Sequence, residues 1–563
     1  MNDIKVIKVK KLLAEKKFEE VIVFIENSFS HIEKTSEILN ILGVCKLQKK
    51  NFSNFDLLSA IENFRDCYLK EKNTSQGIEG LLNFIVSSNK ANQYDDSIKY
   101  FKETELTMGY IRKLFLSIVD VYLRLTDFES AIYYLKKIME NDDGLEYSTL
   151  KKYIFFNSYL NKWSQKDFFE NTIKLKETLP QYNFNKINVR KNKKIKLAFL
   201  SSDIVNTHSV ISFLKTILKH VDKDKFELIF FSNHIINKDK ENLIDFKIYF
   251  DEWINIKNLN DIEAISIIRK NNINIIIDLM GLTSPNRLAL FKNRLAPIQI
   301  LWLGYNNTSG LSQMDYLIAD PNLIKKNELK LYSEKILYLP NIWNCHSGLH
   351  ISRIETPAPL IKNKHITFGS FNNAFKISDE VVSVWSKILK SINNSKLIIK
   401  SSLNYSDKIL KEKFEKNQVL NQITFLDKTY SFEEHINEYK KIDLALDTFP
   451  YNGVTTSFEA IWMSVPILTL KGFNPNSRAG ESINKNLNMN YLIADNKDEY
   501  VLKAVELSKN FEKVIEIRKN LFDKALASNL FNDKKFSKEF YENLEKIYFN
   551  HSRKENLSSN RYS

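Results

Sequence analysis

The apolar residues of this chain follow two different periods, and the switch between them near residue 185 limits the fold more than any single motif. Before the switch, apolar positions recur at helical spacing and no run alternates as a half-buried strand does. Beyond it, short apolar runs alternate with amphipathic stretches. Runs at 195–200, 226–231, 273–278 and 316–319 form a first series, and runs at 366–369, 396–400, 423–426, 444–447 and 467–470 form a second. Helical patterns at 210–221, 261–270 and 380–392 lie between them. Short, continuously apolar strands joined by helices build parallel sheets covered on both faces. Two such series predict two doubly wound halves, with ligand held at the carboxyl ends of their strands. Helical patterns at 500–527 and 534–549 close the chain, before a polar tail, 551–563, expected to be disordered.

The first part repeats itself. Phe18-Glu19-Glu20-Val21-Ile22, Tyr94-Asp95-Asp96-Ser97-Ile98 and Phe128-Glu129-Ser130-Ala131-Ile132 share an aromatic, two polar residues, a small residue and Ile. A fourth copy stands at Ala60-Ile61 with Phe64 a turn later, after a five-residue insertion following Phe52. From Val21 through Ala60 and Ser97 to Ala131 the steps are 39, 37 and 34 residues. That is close to the ~34-residue helix–turn–helix unit of tetratricopeptide repeats. The small residue admits a neighbouring helix, the aromatic fills the gap beside it, and Leu42-Gly43 is the facing close-contact pair. The reading is an α-solenoid over 1–187, with an irregular helical bundle as its alternative. Either is a binding surface or spacer. A basic connector, 188–194, leads to halves expected at 195–350 and 360–550.

Composition narrows the function classes. The 563 residues are 43% hydrophobic and 27% charged, enough for several cores, and only 13 Gly and 10 Pro exclude fibrous and low-complexity classes. The formal charge of +14, from 82 basic and 68 acidic residues, is spread along the chain with no basic–aromatic surface motif, so nucleic acid is not an expected partner. Cys45, Cys67 and Cys345 supply neither a disulfide framework nor metal-ligand spacing. The first twenty residues are charged throughout, unlike a signal peptide. The longest apolar run, 273–282, is broken by Asn274 and Asp278 and is too short for a bilayer. The expectation is a soluble, cytoplasmic protein.

Neither half contains a G-x-G-x-x-G or Walker A loop, which argues against dehydrogenases and P-loop ATPases. The informative segment runs from Leu446 to Trp462. A strand ends at Asp447, a turn carries Pro450 and Asn452-Gly453, and a helix opens at Thr455-Thr456. A helix N-terminus behind a glycine is an anion site, although Thr is also an ordinary cap. Glu459, a turn further on, can accept hydrogen bonds from ribose hydroxyls. In a second segment, 368–379, a strand ends at Asn372-Asn373 and Lys376 precedes a helix capped by Ser378. Lys376 and the Thr pair can meet one phosphate.

FGSFNN-x-x-K-I at 368–377, LDTFPYNG-x-TT at 446–456, API-Q-x-x-WLGY at 296–305 and MDY-x-x-x-D at 314–320 resemble the O-linked N-acetylglucosamine transferase and SPINDLY family of glycosyltransferases. The resemblance runs from about 195 to 500, and the preceding helical repeats match its order of parts. It implies a GT-B fold of two Rossmann-like halves. It also implies an inverting transfer, without metal or other cofactor, from a nucleotide sugar such as UDP-N-acetylglucosamine to Ser or Thr hydroxyls. Acceptor proteins would bind the repeats, and homodimers are compatible with the pattern. The resemblance places Lys376 on the diphosphate, Thr455 and Thr456 on phosphate, Glu459 on ribose and His435 near the nucleobase. Asn372, Asn373 and Gly453 belong to the same motifs, His208 matches an active-site histidine, and Leu303, Gly304, Tyr305 and Thr308 belong to a loop lining the sugar pocket.

The chemistry suits these residues. Displacement at an anomeric carbon passes through an oxocarbenium-like state. Negative charge grows on the departing diphosphate, where a fixed cation and helix N–H groups stabilise it. His208 can position or deprotonate the acceptor hydroxyl. Departures from the family pattern are Val454, Leu282, Asn274 and Asn306, and a spacing from Asp203 to His208 that is one residue longer than usual. They leave GDP-fucose or UDP-glucose as alternative donors, and a non-catalytic repeat scaffold with a degenerate transferase domain as the rival reading.

Overall fold

The computed structural model describes residues 2–185, 187, 192–203, 209–234, 244–349, 356–400 and 404–559. The chain forms two compact units, Met1–Tyr153 and Ile154–Ser563.

The first unit is helical: α1 (Asn2–Ala14), α2 (Phe18–Ser28), α3 (Ser36–Gln48), α4 (Asn54–Lys70), α5 (Ser75–Lys90), α6 (Asp95–Met108), α7 (Arg112–Arg124) and α8 (Phe128–Asn141). The repeat markers fall in the second helix of each successive pair, and Val21, Ala60, Ser97 and Ala131 are all fully buried. Gly43 of α3 is the expected contact: a Cβ there would lie 2.5 Å from the Phe64 ring of α4. The extra residues after Phe52 lengthen the start of α4 rather than forming a loop. Ser53 and Asp56 close a capping box there, so the added turn has its N–H groups satisfied. Edge-to-face contacts of Phe101 with Phe115 and Tyr134, each at 5.2 Å, tie α6 to α7 and α8.

The second unit begins earlier than the boundary at 187 expected from sequence. Helices Gln165–Thr172 and Leu175–Thr178 belong to it. Gln165 Nε2 donates to Asn307 Oδ1 at 2.8 Å, and Tyr182 N donates to Asn293 Oδ1 at 2.6 Å. Helical periodicity shows that these residues bury one face, but not which neighbour covers it.

Thirteen strands among the described residues build two parallel sheets. The first contains β1 (Ile195–Ser201), β2 (Phe226–Ser232), β3 (Glu252–Asn255), β4 (Ile275–Asp278), β5 (Ile298–Leu301), β6 (Tyr316–Ala319) and β7 (Lys335–Tyr338), in the order β3-β2-β1-β4-β5-β6-β7. The second contains β8 (Thr367–Ser370), β9 (Lys396–Lys400), β10 (Ile423–Leu426), β11 (Leu444–Leu446), β12 (Ile467–Leu470) and β13 (Ile493–Ala494), in the order β10-β9-β8-β11-β12-β13. Leu197 of β1 sits between Leu228 and Ile275, and Phe368 of β8 between Leu397 and Leu444. Strand order therefore reverses between β1 and β4 and again between β8 and β11, the two places where such sheets bind ligands.

Four strands escape the sequence pattern. β3 and β7 are partly exposed, and β13 is two residues long. β5 carries the fully buried Gln299, whose amide donates to Phe291 O and Gln313 O at 2.9 and 2.8 Å and so tolerates burial. The pattern at 500–527 resolves into helices Lys497–Lys509 and Phe511–Leu526. Of the tail 551–563 expected to be disordered, residues 551–559 instead end the last helix, Asp533–Ser559, and 560–563 lie outside the described residues. No Gly or Pro interrupts that stretch, and a polar helical end needs no buried face. This helix also returns to the first sheet's helices, where Ser537 Oγ and Tyr541 Oη donate to Thr216 O and Ile217 O, each at 3.1 Å.

Candidate active site

The carboxyl ends of the two sheets border a cavity of about 660 Å³. Asp203, Ser209, Ser284, Leu303, Gly304 and Asn306 line it from the first half. Asn372, Asn373, Lys376, Val454, Thr455 and Thr456 line it from the second. His208 and the rest of 204–208 lie outside the described residues.

The second half's contribution follows from how its loops are tied. After β8, Asn373 accepts from Phe375 N at 3.0 Å and so caps the turn Ala374–Lys376. Ser378 then caps the helix Asp379–Ser391. Lys376, held between these caps, is half-buried, donates from Nζ to Asn452 O at 2.8 Å and lies 4.5 Å from the Tyr451 ring centroid. Burial pushes its ammonium down to about 8, and the charge of Asp447 opposes that fall.

Asp447, just past β11, is the hub of the facing turn. Its buried carboxylate accepts from Gly453 N at 2.7 Å, Thr448 N at 2.9 Å and Thr469 Oγ1 at 2.7 Å. Burial raises its pKa against these hydrogen bonds and the Lys376 charge. Gly453 has no room for a side chain: a Cβ would lie 2.7 Å from both Asn372 Oδ1 and Thr456 Oγ1. Those two atoms bond each other at 3.0 Å across the β8–β11 switch. The helix Thr455–Trp462 starts after Val454, which offers no side-chain acceptor to its first N–H groups. A lysine head and a helix start lacking a side-chain cap thus share one wall, an arrangement that binds anions.

Glu459 and His435, like Gly453, are not among the cleft's lining residues; Glu459 lies one turn into the Thr455–Trp462 helix and His435 stands against it. Glu459 Oε2 accepts from Tyr439 Oη at 2.9 Å and lies 3.2 Å from His435 Nε2, while His435 Nδ1 is 2.9 Å from Lys400 Nζ. Sequence motifs bring His435 and Glu459 to notice but not Lys400 or Tyr439. Of the second half's hub, Asp447 is visible as a strand end and Asn452 as part of a turn, whereas nothing local marks Asn452 O as the acceptor of the Lys376 ammonium.

Apart from Asp203, the described residues of the first half present backbone and uncharged side chains to the cleft. Leu303 has φ +83°, and a Cβ on Gly304 would meet Leu279 O at 2.0 Å. The chain therefore turns tightly over the end of β4, with Leu303 and Gly304 in the cleft. Tyr305 and Thr308, expected in the same wall, are not among its lining residues. The Tyr305 ring is buried over Gly281 and beside Phe155, and Thr308 is fully buried, donating to Glu334 Oε2 at 2.7 Å. A buried Glu334 draws these donors inward: Ser309 N adds a bond at 2.7 Å and Ser309 Oγ a further one. Leu282 also turns into the core while Thr283 and Ser284 face the cleft. Asn274 stands before β4, at its amino end, where Oδ1 accepts from Lys196 N at 2.9 Å and Asn192 Nδ2 at 2.8 Å. Of the departures within the described residues, Val454 and Asn306 alone reach the cleft.

Comparison with known proteins shows the family and the fold. Residues 170–354 and 358–540 match the model of glycosyl transferase family 41. The chain is 31% identical over 358 residues to the probable UDP-N-acetylglucosamine–peptide N-acetylglucosaminyltransferase SPINDLY of Solanum lycopersicum, across 62% of this chain and 38% of that protein. The Arabidopsis thaliana protein of the same name is 30% identical over 363 residues, across 63% of this chain and 40% of its own length. The chain spans about two fifths of the length of these relatives. A solved lysine-to-methionine mutant of the Thermobaculum terrenum O-GlcNAc transferase superposes with a TM-score of 0.76 over 93% of this chain and 99% of that one. At 21% identity this is a likeness of fold.

Proposed function

Because the chain belongs to glycosyl transferase family 41, we propose that it transfers a sugar from a nucleotide donor to protein Ser or Thr hydroxyls. N-acetylglucosamine from UDP-N-acetylglucosamine is the favoured donor pair, and the names of the SPINDLY relatives support that choice. The observation carrying the proposal is that Lys376 and the Thr455 helix start line the same cavity. With the diphosphate there, the acceptor oxygen attacks the anomeric carbon from the opposite face. The bond to the diphosphate breaks, and the acceptor proton passes to His208 or to solvent. Configuration is inverted in this single displacement. Lys376 and the helix N–H groups meet the charge that develops on the leaving group, so no metal ion is required. Helices α1–α8 are proposed to hold acceptor proteins.

Val454 and Asn306 in the cleft favour a second reading, the same transfer from GDP-fucose or UDP-glucose. A donor screen decides between them. Purified protein is incubated with UDP-, GDP- and dTDP-sugars, and both nucleotide diphosphate release and the mass added to peptide are measured. Release from no donor would leave the chain as a scaffold. A second arm includes EDTA: transfer is expected to persist, and chelator-sensitive transfer rescued by manganese or magnesium would overturn the metal-free mechanism.

A further inference from the structure

We propose that Lys400 is a positioning residue of the nucleotide site, fixing the tautomer of His435 and through it the orientation of Glu459. The proposal rests on the donor reading above, which supplies the purpose of the fixed carboxylate. Lys400 closes β9 and is only 7% exposed. A lysine is costly to bury, and an apolar side chain would fill this place at less expense unless the ammonium has a task. Its Nζ donates to Thr429 Oγ1 at 2.9 Å and stands 2.9 Å from His435 Nδ1. Burial lowers the Lys400 pKa, Glu438, Glu459 and Glu434 oppose that fall, and Lys441 adds to it.

An ammonium can only donate. Nδ1 of His435 must therefore accept, and the neutral imidazole carries its proton on Nε2. Nε2 faces Glu459 Oε2 at 3.2 Å, the direction in which a donor is needed. The other tautomer would set an N–H against the ammonium and a lone pair against the carboxylate, losing both bonds. Tyr439 Oη donates to the same Oε2 at 2.9 Å. That oxygen is thus fixed by two donors, while Glu459 Oε1 has no hydrogen bond among the described residues. A carboxylate with one oxygen anchored and the other open suits a pair of ribose hydroxyls, which only need an acceptor held in place. None of Lys400, His435 and Glu459 is among the cleft's lining residues, and Lys400 acts on the nucleotide site only through His435 and Glu459.

The test uses the full chain with Lys400→Met and Lys400→Arg. Nitrogen NMR of ¹⁵N-histidine-labelled protein, with His435 assigned by His435→Gln, reads the tautomer directly. In the wild type and in Lys400→Arg, Nδ1 is expected unprotonated and Nε2 protonated. Lys400→Met is expected to populate the Nδ1–H form. Calorimetry with UDP should show about tenfold weaker binding for Lys400→Met and less than threefold for Lys400→Arg, with kcat at saturating donor within twofold. A protonated Nδ1 in the wild type, or a Lys400→Met protein with unchanged tautomer and UDP affinity, overturns the proposal. A wild type with the expected tautomer that binds neither UDP nor GDP overturns the donor reading, and the positioning role with it.

Discussion

The two halves of the second unit share a strand order and differ in what they place at its switch point. In the first half, buried carboxylates tie loops down. Asp278 accepts from Met280 N and Gly281 N at 3.0 Å each, and Asp320 from Asn322 N at 2.7 Å and Leu323 N at 3.0 Å. In the second half, Asp447 ties a loop in the same way, but a lysine and an uncapped helix start stand beside it. Both halves spend buried acids on loop geometry, and the second alone adds groups that attract an anion. A common topology therefore does not assign the chemistry; the loops do. Under the proposed function, the donor's diphosphate would lie against the second half and the first half would shape what surrounds the sugar.

The sharpest way to break this contrast is to remove the cation. Lys376→Ala is expected to lower kcat/KM about a hundredfold, on the order of 3 kcal/mol of transition-state stabilisation. The side chain is half-buried at the cleft wall, so circular dichroism should remain that of the wild type. Turnover within a few-fold of normal would move the charge stabilisation elsewhere, with the first half the next place to look.

A smaller effect separates the helical unit from the second unit. Deleting residues 1–146, which stops short of the helix Tyr147–Asn157, should leave transfer to a short peptide within twofold. Modification of folded proteins should fall by about tenfold, because repeat helices pack mainly on their neighbours and carry recognition along their surface. Equal losses on peptide and protein, from a truncated chain still folded by circular dichroism, would reject that division.

The pH profile tests Lys376 together with Asp447. In the proposed mechanism the protonated ammonium binds the diphosphate, and burial lowers its pKa to about 8 in the free protein. The protonated fraction, and with it kcat/KM for the donor, should fall as pH rises through that value. Asp447 opposes the fall in the lysine's pKa, so Asp447→Asn should move the alkaline limb to lower pH, costing several-fold at pH 8. Lys376→Arg should move it out of range upward. A limb unmoved by both substitutions would detach it from this pair.

Sequence makes legible those residues whose role is written in local spacing. Lys376 stands a fixed distance after a strand and just before a capped helix, and Thr455-Thr456 follow a turn and a glycine, so sequence brings them to notice, and all three line the cleft. What sequence hides depends on partners far along the chain. His435 is held by Lys400, 35 residues before it, and by Glu459, 24 residues after it. Gln299 conceals β5 because its buried amide is satisfied by Phe291 and Gln313. Leu282 and Asn274 stand out as departures from the family pattern, yet Leu282 turns into the core one residue before Thr283 and Ser284 face the cleft, and Asn274 stands at the amino end of β4, away from it.

Thr308 is the smallest and most local test of the same point. As a sugar-pocket residue, its loss would raise the donor KM. In the structure its hydroxyl donates to Glu334 and also accepts from Gly310 N and Ser333 N, each at 3.2 Å. It therefore holds a buried acid behind the wall. Burial already raises the Glu334 pKa, opposed by Ser309 and Thr308. Thr308→Val keeps the side-chain shape and removes one donor, so the acid loses part of what favours its charged form. The expected cost is about 1–3 kcal/mol of stability, the usual penalty for stripping a buried partner. It should be read as a lower denaturant midpoint, with donor KM unchanged within twofold at a temperature where the variant is folded. A raised donor KM without loss of stability would put Thr308 back in the cleft wall and blur the line between the face of the first half and what stands behind it.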